Sequence, residues 1–284
     1  MKHVGSSMLK NLIVLAFAFS ASASIGASAQ DVEKTLNDQY ENKVLVLRHS
    51  VQADSQDYDA QGNLLTKAEE GSWTLFGRVL VESIKVSPEA IELTAQRVRY
   101  NYNTRSKHFD LTKNPKDKTR CHLRIKLEKP ASTDQDAVAA MGKVFALNKE
   151  DVLNSVPEWW RSYVAEDLGV SYAPFKRTDS PAGSNGNEAY AVGGNVTAPH
   201  IIFQPEPQFT KEARKAKHQG VVGMDVIVGV DGLVHQITIV RPLGMGLDEK
   251  AMEGVRAWRF KPATRNGQPV AVAVYVEVDF RLYD

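Results

Sequence analysis

The feature that most constrains this 284-residue chain is its last stretch, where apolar side chains occupy every second position from Val270 to Leu282. Val270, Val272, Val274, Val276, Val278, Phe280 and Leu282 alternate with mostly polar or small residues over thirteen residues. Side chains on a β-strand point to opposite faces with a period of two, so this run predicts one long strand, half buried and half wet. Such a strand needs neighbours and a covering layer, and the preceding residues supply both. Val221–Val230 (VVGMDVIVGV) reads as a strand, Asp231-Gly232 as a tight turn and Leu233–Arg241 (LVHQITIVR) as its hairpin partner. Leu247, Ala251, Val255 and Trp258 recur every three to four residues, the apolar face of an amphipathic helix over 247–258. Asp248 and Glu249 at its start and Arg256 and Arg259 at its end suit the helix dipole. With a short polar helix over Phe209–His218 and a second turn at Asn266-Gly267, the region predicts a β-β-α-β module led by a helix.

Upstream, residues 176–195 (KRTDSPAGSNGNEAYAVGGN) are rich in Ser, Gly and Asn and almost free of large apolar side chains. That composition predicts a flexible linker and a domain boundary, spanning at most about 70 Å if fully extended. Residues 30–175 predict a second, strand-rich α+β domain. Strand-like stretches lie at 43–51, 73–86, 90–102 and 121–127, separated by turn signals such as Ala60-Gln61-Gly62-Asn63 and Ser87-Pro88. Thr133 with Asp136, and Asn148 with Asp151, predict the starts of two helices, and Pro157 interrupts the second before Trp159-Trp160. The fold class predicted for the chain is therefore α+β in two domains. Residues 1–29 read as a signal peptide, with Lys2 and Lys10, the apolar core Leu12–Phe19 and the small-x-small end Ala27-Ser28-Ala29. The expected location is the periplasm. The alternative is an uncleaved anchor over Asn11–Ala29 in the inner membrane.

Composition narrows the function. A net charge of +1, from 35 basic and 34 acidic side chains, gives no electrostatic reason to bind nucleic acid. Cys121 is the only cysteine, which leaves no intramolecular disulfide and no cysteine-based zinc cage. The histidines lack ligand spacing, so no metal and no cofactor is expected. No nucleophile elbow, zinc-protease motif or phosphate-binding loop occurs, so no catalytic residue is expected and the chain reads as a non-enzyme. Trp159-Trp160 suits either a ligand platform or an anchor between helices and sheet. The basic run Lys211–Lys217 suits a solvated helix face.

Five blocks carry a resemblance: QFTKEAR (208–214), QGVV (219–222), VDGLV (230–234), LDEKAMEGVRAWRFKPA (247–263) and NGQPV (266–270). Together they resemble the TonB C-terminal domain over about 196–284, while YDAQGNLL (58–65) and GSWTLFG (71–77) resemble an accessory half of TonB-family envelope proteins. The resemblance implies that the domain binds a short extended segment, the TonB box, of an outer-membrane TonB-dependent transporter, added as a strand beside its last strand. The residues this implies as partner-binding are Gln208, Phe209, Val270, Val272, Val274, Tyr275, Val276, Glu277, Val278, Asp279, Phe280 and Arg281. Pairing with a second copy through the same edge, in an envelope scaffold without energy input, is the alternative reading. The sequence departs from the family at Thr210, where proline is usual near the bound segment. The short linker with only Pro181 and the lack of histidine in Leu12–Ala29 are further departures, and these two argue against coupling to an ExbB–ExbD motor.

Overall fold

The computed structural model describes residues 28–103, 108–112, 120–172 and 189–282, with side chains left undescribed over 100–112. The expected signal peptide thus lies, apart from its last two residues, outside the described residues. Among the described residues no helix is long and apolar enough to cross a membrane. The chain forms two compact units, divided between Ser171 and Tyr172.

In the first unit, α1 (Ala29–Tyr40) starts at a capping box in which Ser28 and Asp31 satisfy each other's backbone N–H groups. It buries Val32, Leu36 and Tyr40, spaced one helical turn apart. Burial of Val32 and of Leu36 stabilises by about 1.5–3 kcal/mol each. Asn37 locks the helix to the sheet: its Nδ2 donates to the Ile84 carbonyl (2.7 Å) and its Oδ1 accepts from the Ile84 N–H (2.8 Å). The elements that follow are β1 (Val44–Leu47), β2 (Ser55–Tyr58), α2 (Trp73–Phe76), β3 (Arg78–Val86), β4 (Ala90–Arg97), β5 (Arg99–Asn103), β6 (His108–Thr112), β7 (Arg120–Lys126), α3 (Asp134–Val144), β8 (Phe145–Ala146), α4 (Lys149–Ser155) and α5 (Glu158–Leu168). Six strands form an open sheet in the order β2-β7-β4-β3-β1-β8, antiparallel except for β2 beside β7, while β5 and β6 pair separately.

Two predicted strands are shorter than their apolar runs. The stretch 73–86 begins as the helical turn α2, because Ser72 accepts from the N–H groups of Leu75 and Phe76 and Gly77 closes back onto Trp73. The stretch 90–102 breaks at Val98 into β4 and β5. The helix starts were legible: Thr133 Oγ1 accepts from the Asp136 N–H (3.1 Å) and Asn148 Oδ1 from the Asp151 N–H (2.9 Å). Pro157 stands as the N-cap of α5. Trp160 is fully buried, tilted against Trp73 of α2 with ring centroids 6.3 Å apart, and shares an apolar cluster with Val44 and Val46 of β1, so it ties α5 to α2 and to the sheet.

The second unit contains β9 (Tyr190–Ala191), β10 (His200–Phe203), α6 (Lys211–Lys215), β11 (Gly220–Val228), β12 (Val234–Arg241), α7 (Leu247–Arg256), β13 (Arg259–Lys261), β14 (Ala263–Arg265), β15 (Gln268–Val270) and β16 (Val272–Phe280). Its main sheet runs β12-β11-β16-β9, with β10 paired to β13 and β14 to β15. Helix α7 packs over β12 and β11 and buries Leu247, Ala251 and Val255. The predicted β-β-α-β order is present, and the chain is α+β. Two boundaries differ from expectation. The terminal run is two strands, since the chain turns at Asn266-Gly267 and β15 pairs with β14 before Ala271 ends that ribbon. The predicted linker 176–195 falls outside the described residues as far as 188, and beyond that it is structured. Tyr190 donates its N–H to the Ala271 carbonyl (2.9 Å), and Gly193 and Val196 exchange backbone hydrogen bonds.

Candidate partner-binding edge

Strand β16 pairs along its whole length with β11, from Val272 opposite Val228 to Phe280 opposite Gly220, without a register shift. In such a ladder alternate residues turn both backbone groups towards the same neighbour. The Ala271 carbonyl points away from β11, to Tyr190, and the Leu282 N–H points towards Gln219, which precedes β11. Even-numbered residues of β16 therefore bond β11, and odd-numbered residues face the opposite edge. Strand β9 covers that edge only beside Val272 and Ala273, in parallel. Beyond it, the outward N–H and C=O groups of Tyr275, Glu277 and Asp279 have no strand partner among the described residues. An unpaired edge of this kind is a template for another extended chain.

The two faces beside the edge differ. On the inner face Val272, Val278 and Phe280 are buried, whereas Val274 and Val276 between them are only half-buried, because α7 covers β12 and β11. They form an apolar shelf open towards the free edge. On the outer face Tyr275 is 48% exposed and donates its hydroxyl to Glu277 Oε1 (3.0 Å), and Arg241 from β12 reaches the same carboxylate at 3.6 Å. The absent side chain of Gly223 permits this arrangement, since a Cβ there would lie 2.3 Å from the Tyr275 hydroxyl oxygen. Burial of its ring and the hydrogen bond to Glu277 hold the Tyr275 phenol above its ordinary pKa. At the far end Arg281 pairs with Asp279 at 2.6 Å.

The sequence-predicted site residues separate into three groups. Val274, Tyr275, Val276, Glu277, Asp279 and Arg281 lie along the open part of the edge or just beyond it. Val272, Val278 and Phe280 share the strand, but their side chains are in the core. Val270 lies off the edge, in β15 opposite Ala263. Phe209 packs edge-on against Phe280 (centroids 5.4 Å apart), with the Arg214 guanidinium over its other side, so it braces the end of β16, while Gln208 is exposed. Thr210, where the family has proline, caps α6 by accepting from the Ala213 N–H and donates to the Met245 carbonyl (2.8 Å). Sequence reasoning missed Tyr190, Arg241 and Gly223. Tyr190 sits in a polar stretch with too few apolar residues to signal a strand, and the roles of the other two appear only once β11, β12 and β16 are aligned.

The remaining chemical groups are structural. Cys121, in β7, is buried in the core of the first unit, its thiol pushed up to about 11 by burial, and it behaves as a small apolar side chain. Among the described residues no group of three or more His, Cys, Asp or Glu is placed to hold a metal ion. Asp248 is fully buried, and its carboxylate accepts from the Leu243 N–H (2.7 Å) and the Gly244 N–H (2.8 Å). It pins the loop that leads into α7, which has no side-chain cap of its own at Gly246.

The family of the Gram-negative bacterial TonB protein C-terminal matches residues 205–282. Protein TonB of Vibrio cholerae serotype O1 is 28% identical over 83 residues, covering 29% of this chain and 34% of that protein. Protein TonB of Xanthomonas campestris pv. campestris is 33% identical over 92 residues, 32% of this chain and 41% of that protein. The chain thus spans well under half the length of the curated relatives it matches. The solution structure of the Pseudomonas aeruginosa TonB C-terminal domain aligns with a TM-score of 0.27 at 17% identity, over 32% of this chain and 91% of that one. With the blocks around α7 and β13 and the β-β-α-β order, residues 205–282 are thus similar to a TonB C-terminal domain, a match that covers little more than a quarter of the chain.

Proposed function

We propose that the C-terminal domain binds an extended segment of an outer-membrane TonB-dependent transporter by strand addition along β16, in the periplasm, and works as a binder and not as a catalyst. The observation that carries this reading is the open edge at Tyr275, Glu277 and Asp279 beside the half-buried Val274 and Val276. A segment laid along it would exchange main-chain hydrogen bonds with the odd-numbered residues. Its alternate side chains would rest on the valine shelf and beside Tyr275 and Glu277. The short strand β9 would then set where the added strand ends.

The test is fluorescence anisotropy of a labelled TonB-box peptide titrated with the full chain, alongside the same peptide with proline at every second position. Saturable one-to-one binding of the first peptide alone is expected. Equal binding of both peptides would defeat strand addition. Self-association that excludes the peptide would assign the edge to a second copy of the chain.

A further inference from the structure

Strand β9, which covers one end of the β16 edge, is slightly built. It pairs in parallel at two positions only, Tyr190 beside Val272 and Ala191 beside Ala273, and the Tyr190 N–H donates to the Ala271 carbonyl at 2.9 Å. Both side chains are exposed and only Ala189, just before them, is buried, so the pairing removes little apolar surface from water. The Tyr190 ring lies beside the exposed Arg265 guanidinium, 4.9 Å from it, a contact of modest strength at such a site. The chain that follows is anchored separately. Val196 is buried and bridges to Arg265, and the Thr197 N–H donates to the Thr264 carbonyl (2.9 Å) while its Oγ1 accepts from the Thr264 N–H (2.8 Å). Between strand and anchor stand Gly193 (φ +133°) and Gly194 (φ +59°), each with open space where a side chain would be. Paired glycines let the chain turn with few steric limits, so Tyr190–Ala191 can leave the edge while the anchor on β14 stays in place.

The outward backbone groups of one edge serve one neighbouring strand, so β9 and an added strand compete for Ala271 and Ala273. A short segment fits along Tyr275–Asp279 and ends where β9 begins. A longer one can continue only by taking the place of β9. We propose that β9 is a displaceable occupant of the partner-binding edge: an extended segment long enough to pair from Ala271 to Asp279 replaces Tyr190–Ala191. The chain's own strand then lowers the affinity of that segment by the fraction of molecules in which the edge is covered. In the free protein the same strand shortens the open edge, which limits pairing with unwanted chains. The inference rests on the β16 reading and adds a regulation to that site.

The test uses the full chain and a labelled, end-blocked TonB-box peptide of about nine residues, long enough to span Ala271–Asp279. Tyr190→Pro removes the donor to Ala271 on an exposed edge strand, where proline is tolerated. Anisotropy should show this variant binding roughly two- to tenfold more tightly than wild type, the effect of one hydrogen bond lost from the competing strand. In wild type the Tyr190 amide should be protected from hydrogen exchange in the free chain and lose that protection at saturation, while Tyr275, Glu277 and Asp279 gain it. A variant that binds no more tightly than wild type would overturn displacement and leave binding on β16 standing. So would a Tyr190 amide that exchanges freely without peptide, or one that stays protected in the saturated complex. A peptide that binds neither chain, or protects no outward amide of β16, would overturn the β16 reading and this inference with it.

Discussion

Proline substitution along β16 separates the internal ladder from the binding edge. Val276 turns its N–H towards β11 opposite Met224, whereas the N–H of Glu277 faces outward. Val276→Pro removes a ladder bond and leaves a carbonyl of β11 unsatisfied within the sheet, at a cost of about 1–3 kcal/mol. A domain of this size has roughly 5–15 kcal/mol in all, so a marked fall in melting temperature is expected. Glu277→Pro removes only a donor that faces an open edge, where proline is tolerated, and breaks exposed contacts to Tyr275 and Arg241. Its effect on stability should stay near 0.5 kcal/mol. On binding it deletes one interchain hydrogen bond worth about 0.5–1.5 kcal/mol, which is roughly a 2- to 13-fold loss of affinity for a TonB-box peptide. Thermal melts of both variants, with anisotropy titrations of the folded one, provide the assay. A Glu277→Pro chain that melts like wild type and binds the peptide equally well would refute strand addition on this edge.

Three further outcomes follow from the same structure. Asp248→Asn keeps an acceptor for one of the Leu243 and Gly244 N–H groups and sets an amide NH2 against the other, so chemical denaturation at pH 8 should show a loss of about 1–3 kcal/mol. Glu249, beside Asp248, has a side-chain oxygen buried without a hydrogen-bond partner, and its carboxyl is pushed up to about 7 by burial first and the Asp248 charge second. The folded state therefore holds this proton more tightly than the unfolded chain, and stability should be highest below about pH 4.5 and fall as pH rises to about 7. Glu249→Gln should flatten that fall and gain on the order of 1 kcal/mol at pH 8, read from denaturation midpoints across pH, since the residue is partly exposed. Gly232 has φ +74°, and a Cβ there would lie 2.0 Å from the Phe260 carbonyl oxygen, so Gly232→Ala should cost at least about 2 kcal/mol in a thermal melt.

Local rules made much of the fold legible. The valines of β16 announce themselves because one face of the strand is buried and the other wet, and Thr133, Asn148 and the first turn of α7 announce helices through caps and charge. Where expectation failed, a contact distant in sequence or a single turn decided the structure. Trp73–Phe76 has strand-like composition but coils because Ser72 and Gly77 close a turn around it. Tyr190–Ala191 lies in a polar, glycine-rich stretch and becomes a strand only because Ala271 offers it a carbonyl. The candidate edge was half legible: periodicity located the strand, but which of its backbone groups stay open depends on its pairing with β11 and β9.

The most direct test of the central claim is residue-resolved amide hydrogen exchange of the C-terminal domain, in the full chain, with and without a saturating TonB-box peptide. Strand addition on β16 predicts new protection at Tyr275, Glu277 and Asp279, with Val274, Val276 and Val278 unchanged because β11 already protects them. Protection that ignores this alternation, or that appears at β10 and not at β16, would contradict it.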